Sequence, residues 1–284
     1  MWAETTEDGI AVATYVNPPM NYFTDAAVAQ LDELIDGWSA GSVPAIVLTG
    51  GVEGRFVTHF DVDQILRNQE QPDGIFEAPL RSRRVQAVLR RLNDLPQPVI
   101  AAMNGDTMGF GYELALAADL RVAQRGDHRI GLPEVRLGLT PAGSGLTRLT
   151  KLVGRARALD LILRARVLTP EEALAHGLVT DLADDARAAA VGIARRIAEM
   201  PAIAVALAKR SIYHVADLPM ELALTLEAES SFRLKQSPEI MRPMREYLAL
   251  PFDRRRTWLD AERAAAASKP AGHDPSPGGL EQRN

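Results

Sequence analysis

Two glutamates, Glu113 and Glu134, stand 21 residues apart, each inside a glycine-punctuated segment. The first segment is Asn104-Gly105-Asp106-Thr107-Met108-Gly109-Phe110-Gly111-Tyr112-Glu113. The second is Ile130-Gly131-Leu132-Pro133-Glu134-Val135-Arg136-Leu137-Gly138-Leu139-Thr140-Pro141. Glycines let a loop expose its N–H groups, and the start of a helix aims such donors outward. Two carboxylates beside donors of that kind suit acid/base chemistry on a polarised carbonyl. The plainer readings are a solvated acid in a first helical turn for Glu113 and a surface loop acid for Glu134.

Other reactive side chains make weaker claims. His59, in Phe56-Val57-Thr58-His59-Phe60-Asp61, could titrate near neutral pH or hydrogen-bond a ligand. A polar loop residue is the commoner explanation. The five histidines show no metal-ligand spacing, and no metal is expected. Ser144, in Ala142-Gly143-Ser144-Gly145, lacks a full Gly-x-Ser-x-Gly context and reads as a turn or helix start. The chain has no cysteine, which excludes disulfides, thiolate nucleophiles and cysteine-bound metals.

The whole chain bounds the partners. Its 284 residues are 46% hydrophobic and 24% charged, ordinary values for a soluble globular protein. A net charge of −5 argues against nucleic-acid binding, which relies on a positive surface. No apolar run approaches the roughly 18 residues that a membrane span needs. The acidic start, Met-Trp-Ala-Glu-Thr-Thr-Glu-Asp, argues against a signal peptide. A cytoplasmic protein is the expectation.

The glutamates must be delivered by an alternation of strands and helices. Residues 9–17 read as a strand that ends in an Asn-Pro-Pro turn. Thr24 or Asp25 could cap a helix to about Trp38. Residues 45–49 and 99–103 are apolar runs typical of buried strands. Residues 51–60 read as a loop, and Asp61 could cap a helix. Polar residues 68–79 read as a mobile loop before a helix over about 80–93. A helix opens near Gly109, followed by a short strand at 120–123. Thr169-Pro170-Glu171-Glu172 has the pattern of a capping box. From Asp184 the pattern is mostly helical, over about 185–199, 203–215, 219–235 and 238–249. An α/β core over 1–190, a helical region over 191–267 and a disordered tail over 268–284 follow.

The segments quoted above, with Pro98–Gly105, Glu113–Arg121, Leu152–Ala158 and Glu171–Val179 in the same order, resemble the crotonase family. This is also called the enoyl-CoA hydratase/isomerase superfamily. The likeness spans about residues 9–250 and is densest between Pro98 and Gly177. It implies a spiral of ββα units with a helical C-terminal oligomerisation region, as a homotrimer or a dimer of trimers. It also implies an acyl-CoA thioester as substrate, with no separate cofactor.

By position, the resemblance assigns the two backbone donors of an oxyanion hole to Phe60 and Phe110. The family commonly has small residues there, so phenylalanine at both is a departure. Glu113 matches the position that activates water, and Glu134 the position that handles the α-proton. His59, Met108, Leu132 and Pro141 are candidate pocket residues, and Lys209 a candidate CoA contact. Arginines of the 80–92 helix could meet CoA phosphates, although a solvated helix face is the commoner explanation. Hydration of a 2-enoyl-CoA is the first implied activity. Double-bond isomerisation or another enolate reaction is the second, and non-catalytic acyl-CoA binding the third.

Overall fold

A computed structural model describes residues 1–260. The expected tail at 268–284, like residues 261–267, lies outside the described residues. β1 (Trp2–Glu7) and β2 (Ile10–Tyr15) form an antiparallel hairpin. Asp8 and Gly9 turn it at positive φ, 51° and 83°. α1 (Asp25–Ala40) follows, with Thr24 rather than Asp25 as its cap: the Thr24 hydroxyl accepts from the Ala27 N–H. β3 (Ile46–Gly50) and β4 (Arg55–Val57) precede α2 (Val62–Gln69), which Asp61 caps through the N–H groups of Asp63 and Gln64. α3 (Gly74–Asp94) leads to β5 (Val99–Met103), β6 (Asp106–Met108) and α4 (Phe110–Ala117).

β7 (Leu120–Gln124), β8 (Ile130–Gly131) and a 3-10 turn at Glu134–Leu137 come next. α5 (Gly145–Leu163) is kinked at Gly154. β9 (Val167–Leu168), α6 (Pro170–Ala175) and β10 (Asp181–Ala183) complete the sheets. The Thr169/Glu172 capping box forms in full, each side chain meeting the other's backbone N–H.

Six strands make one sheet in the order β1-β2-β3-β5-β7-β10, and four make another in the order β4-β6-β8-β9. From β2 to β10 the larger sheet is parallel. Its central strands β3 and β5 are buried on both faces, which is why they read as unbroken apolar runs. β3, β5 and β7 belong to the large sheet, while β4, β6 and β8 that follow them belong to the small one. The chain therefore winds as a spiral of ββα units, one strand per turn in each sheet.

The crossing points are tight. A Cβ on Gly50 would lie 2.0 Å from the Arg55 carbonyl oxygen, and one on Gly105 would lie 1.9 Å from the Gly54 carbonyl carbon. Only glycine admits backbones this close.

α7 (Ala186–Ala198) covers one face of the large sheet, setting Ala186, Ala190, Val191 and Ala194 against Val12, Val47, Ile100 and Val122. α8 (Ala202–Val215) and α9 (Met220–Lys235) follow. The first compact unit runs to Ser231. The position 190/191 lies inside α7, whose small residues bury against the strands. From Phe232 a second unit holds α10 (Met241–Ala249) and α11 (Phe252–Leu259). Within it Arg255 lies over the Tyr247 ring at 5.3 Å. No helix among the described residues is long and apolar enough to cross a membrane.

Two local expectations change. The loop at 51–60 contains β4. The helix expected from Leu80 begins at Gly74, so Pro79 sits inside its second turn.

Candidate active site

Glu113 is fixed by its own helix. α4 starts at Gly109, whose φ of 50° and ψ of −127° turn the chain out of β6. One turn later the Glu113 side chain is 3% exposed. The Gly145 N–H donates to its Oε1 at 2.6 Å, and a hydrogen bond from the Gly143 backbone supports it as well. There is no room for anything larger: a Cβ on Gly143 or Gly145 would lie 2.8 Å from a Glu113 carboxylate oxygen. Burial pushes the Glu113 carboxyl up to about 7, and the Glu134 charge adds to that. The two N–H donors and the Arg148 guanidinium oppose the rise.

Glu134 opens the 3-10 turn after Pro133. Burial pushes it up to about 7 as well, against its own backbone hydrogen bond. Its Oε2 is buried without a hydrogen-bond partner. A Cβ on Gly109 would lie 3.3 Å from Glu134 Oε1 and 3.3 Å from the Cβ of His59. Glycine at 109 thus leaves open a space that Glu134 and His59 both border. The structure brings the two glutamates within electrostatic reach of each other, from α4 and from the turn after β8.

The candidate donors flank that space. Phe60 pairs with Phe23 as an isolated parallel bridge. The Phe23 N–H donates to the His59 carbonyl at 2.8 Å, and the Asp61 N–H donates to the Phe23 carbonyl at 2.8 Å. In such a bridge the middle residue's own N–H faces the opposite side. On that side the Met108 N–H donates to the Thr58 carbonyl at 2.9 Å. Phe110 is the first residue of α4, where an N–H has no partner in its own helix. Among the described residues neither the Phe60 nor the Phe110 N–H donates to a backbone carbonyl.

Both phenyl rings turn inward. Phe110 is 6% exposed and stacks on Phe23, with centroids 4.6 Å apart and planes at 27°. Phe60 meets Phe110 edge-on at 5.6 Å and 84°.

The remaining candidates separate. His59 stacks on Tyr22 at 4.3 Å, and its Nδ1 lies 2.7 Å from the Phe60 carbonyl, which requires the proton on Nδ1. Met108 is half-buried beside the donor loop. Pro141 is buried, its Cβ 3.0 Å from the point where a Gly145 Cβ would stand. Leu132 instead packs into the core with Tyr112, Leu149 and Leu161, behind the site.

Lys209, the candidate CoA contact, has its ammonium inside the fold: it pairs with Asp119 at 2.8 Å and donates to the carbonyls of Gln97 at 2.8 Å and Leu92 at 3.2 Å, tying α8 to the core. Two arginines of α3 are also engaged internally: Arg91 pairs with Asp32 and Asp36, and Arg81 caps the Gly74 carbonyl. A cavity of about 540 Å³ between β1 and α1, lined by Trp2, Glu4 and Leu34, includes neither Glu113 nor Glu134.

Gly143, Gly145, Arg148 and Phe23 were not evident as site residues from the sequence. The Ala142–Gly145 string signals a turn, and Ser144 stands at the N-cap position of α5 at a φ of 102°, its hydroxyl accepting from Arg148 Nε rather than capping the helix. Nothing local says that the turn closes on a helix 32 residues earlier.

Known proteins share this arrangement of elements. The chain is 34% identical to the short-chain-enoyl-CoA hydratase of Clostridium acetobutylicum over 79% of its length and 85% of that protein. The crystal structure of an enoyl-CoA hydratase from Thermoplasma volcanium superposes with a TM-score of 0.79 at 28% identity, covering 86% of this chain and 96% of that one. An enoyl-CoA hydratase from Bacillus anthracis gives 0.80 at 25% identity, covering 87% and 95%. The enoyl-CoA hydratase/isomerase family model matches residues 5–249, a span that holds Glu113, Glu134, Phe60 and Phe110, and the chain belongs to that family.

Proposed function

We propose that the protein hydrates 2-enoyl thioesters of coenzyme A. The observation that carries this reading is the pairing of a buried carboxylate, Glu113, with a half-buried one, Glu134, both pushed up to about 7, beside two backbone N–H groups that meet no backbone carbonyl. The thioester oxygen would accept from the Phe60 and Phe110 amides, and the dipole of α4 would favour the negative charge that develops there. Donors already in place need no reorganisation as that charge grows.

The balance of the reaction is simple. Ionised Glu113 takes a proton from water as the water oxygen bonds to the β-carbon. The π pair shifts to give an enolate on the thioester. Protonated Glu134 then gives its proton to the α-carbon. The double bond breaks, one C–O and one C–H bond form, and one proton has moved from Glu134 to Glu113.

The test follows thioester absorbance and product mass over short- to long-chain 2-enoyl-CoAs. We expect a gain of one water that Glu113→Gln and Glu134→Gln each abolish while acyl-CoA binding persists. Full hydration by either variant would remove the assignment. Migration of a 3-enoyl double bond that survives Glu113→Gln but not Glu134→Gln would favour isomerisation. Binding without turnover at any chain length would favour a non-catalytic role.

We also assign self-association, as a trimer or a dimer of trimers, to the exposed apolar side chains of α8 and α9, among them Ile212, Leu222 and Leu224. A monomer mass by sedimentation would overturn that.

A further inference from the structure

We propose that Phe23 is a positioning residue that holds the two oxyanion donors at a single separation through a clamp of three rings. This rests on the reading of Phe60 and Phe110 given above. Phe23 touches both donor residues by independent means. Its backbone bonds the carbonyl before Phe60 and the N–H after it, at 2.8 Å each. Its ring stacks on Phe110 at 4.6 Å. The Phe60 ring closes the set, 5.6 Å from Phe110 and 6.4 Å from Phe23. One residue thereby fixes the loop that carries one donor and the helix start that carries the other.

Phe23 is itself held. It is fully buried, with Tyr15 at 4.8 Å and Trp2 at 6.0 Å on its other sides. The Tyr15 hydroxyl donates to the Tyr22 carbonyl at 2.7 Å, immediately before Phe23. The Trp2 indole N–H donates to the Ala27 carbonyl at 3.1 Å, just inside α1. Phe23 thus has little freedom to drift, and aromatic pairs favour a narrow set of offsets and angles.

Two donors serve one oxygen only when both lie within about 2.7–3.1 Å of it. An aliphatic side chain at 23 would keep both backbone bonds and much of the volume but lose the stacking. The two donor residues could then shift against each other without either N–H being removed. The phenyl groups at 60 and 110 are therefore partners of Phe23, Phe110 buried and Phe60 half-buried against the core.

The test uses the full-length protein with Phe23→Leu and Phe23→Met, each assayed at a temperature where far-ultraviolet circular dichroism shows it folded. Two readouts are needed: steady-state hydration of a 2-enoyl-CoA, and the spectrum of bound 4-(dimethylamino)cinnamoyl-CoA, whose absorbance moves to the red as its carbonyl is polarised. We expect kcat to fall about tenfold or more, as misplacement alone can cause. KM should stay within about twofold, since uniform binding is untouched. The red shift should shrink. Wild-type kcat and red shift in variants that merely melt earlier would reduce Phe23 to core packing and overturn the proposal. If both Phe23 variants fail to fold, Phe60→Leu removes the edge-on ring from a half-buried position and must give the same split. No red shift in the wild-type protein, with the thioester demonstrably bound, would instead remove the oxyanion reading itself.

Discussion

The Gly145 N–H holds Glu113 Oε1 at 2.6 Å, from the start of a helix that lies 32 residues further along the chain. The same glycine leaves no space for a side chain, because its Cβ would stand 2.8 Å from that oxygen. The donor and the steric stop are one residue, so Glu113 is fixed in both direction and depth. This shapes what substitutions here should do.

Gly145→Ala should lower kcat by about 10²-fold, the scale on which a small displacement of a reacting group is felt. Gly143→Ala should act likewise, since its Cβ would meet the other carboxylate oxygen at 2.8 Å. Thioester binding should change little in either variant. Steady-state kinetics beside equilibrium binding checks this; a loss confined to KM would contradict it.

The pH profile should be a narrow bell centred near neutrality. The proposed chemistry needs one proton on the pair, with Glu113 ionised and Glu134 protonated. Both carboxyls are raised to about 7. Activity should fall on the acid side as both become protonated and on the alkaline side as both ionise. A kcat/KM profile that is flat from pH 5 to 9 would exclude a paired role.

The same burial should make Glu113 a liability for stability. A carboxyl whose folded pKa lies above its unfolded value favours folding most at low pH. That contribution is full below the unfolded value of 4.5 and is lost as pH rises through about 7. Glu113→Gln should therefore raise Tm at pH 8 and change it little at pH 4. The alkaline gain should be roughly 2–3 kcal/mol. Thermal unfolding at the two pH values decides it; an equal gain at both would point to packing instead.

Lys209→Met should cost roughly 1–3 kcal/mol in stability, because half-buried Asp119 would lose its cation while keeping only the Val99 N–H and the Tyr213 hydroxyl. Affinity for coenzyme A thioesters should be unchanged. Denaturant unfolding and calorimetric binding separate the two effects. A clear loss of affinity in the folded variant would restore Lys209 as a ligand contact.

What the sequence made legible was local. Thr24, Asp61 and the Thr169/Glu172 pair act within three residues of themselves, and each caps where its chemistry says. β3 and β5 are apolar throughout because both faces are covered. Glu113 and Glu134 stood out because their glycine-rich settings are contiguous in the chain. β1 was hidden because its interior residues are exposed and polar, so no buried face writes an alternation. β4, β6, β8 and β9 are two or three residues long, too short to carry a period. The early start of α3 was masked by Gly74 and Pro79, which read as breakers. The three acceptors around the Lys209 ammonium were hidden because only the folded chain brings Leu92, Gln97 and Asp119 to it.

The glycine crossings at Gly50 and Gly105 have an evolutionary consequence. Where the spiral passes from one sheet to the other, main chain rests on main chain, with no side chains between to be exchanged. A protein usually drifts by trading bulk between neighbours, a large residue for a small one and the reverse. These junctions have nothing to trade. Descendants of this chain can rework the walls around the glutamates while the frame that spaces them is inherited whole.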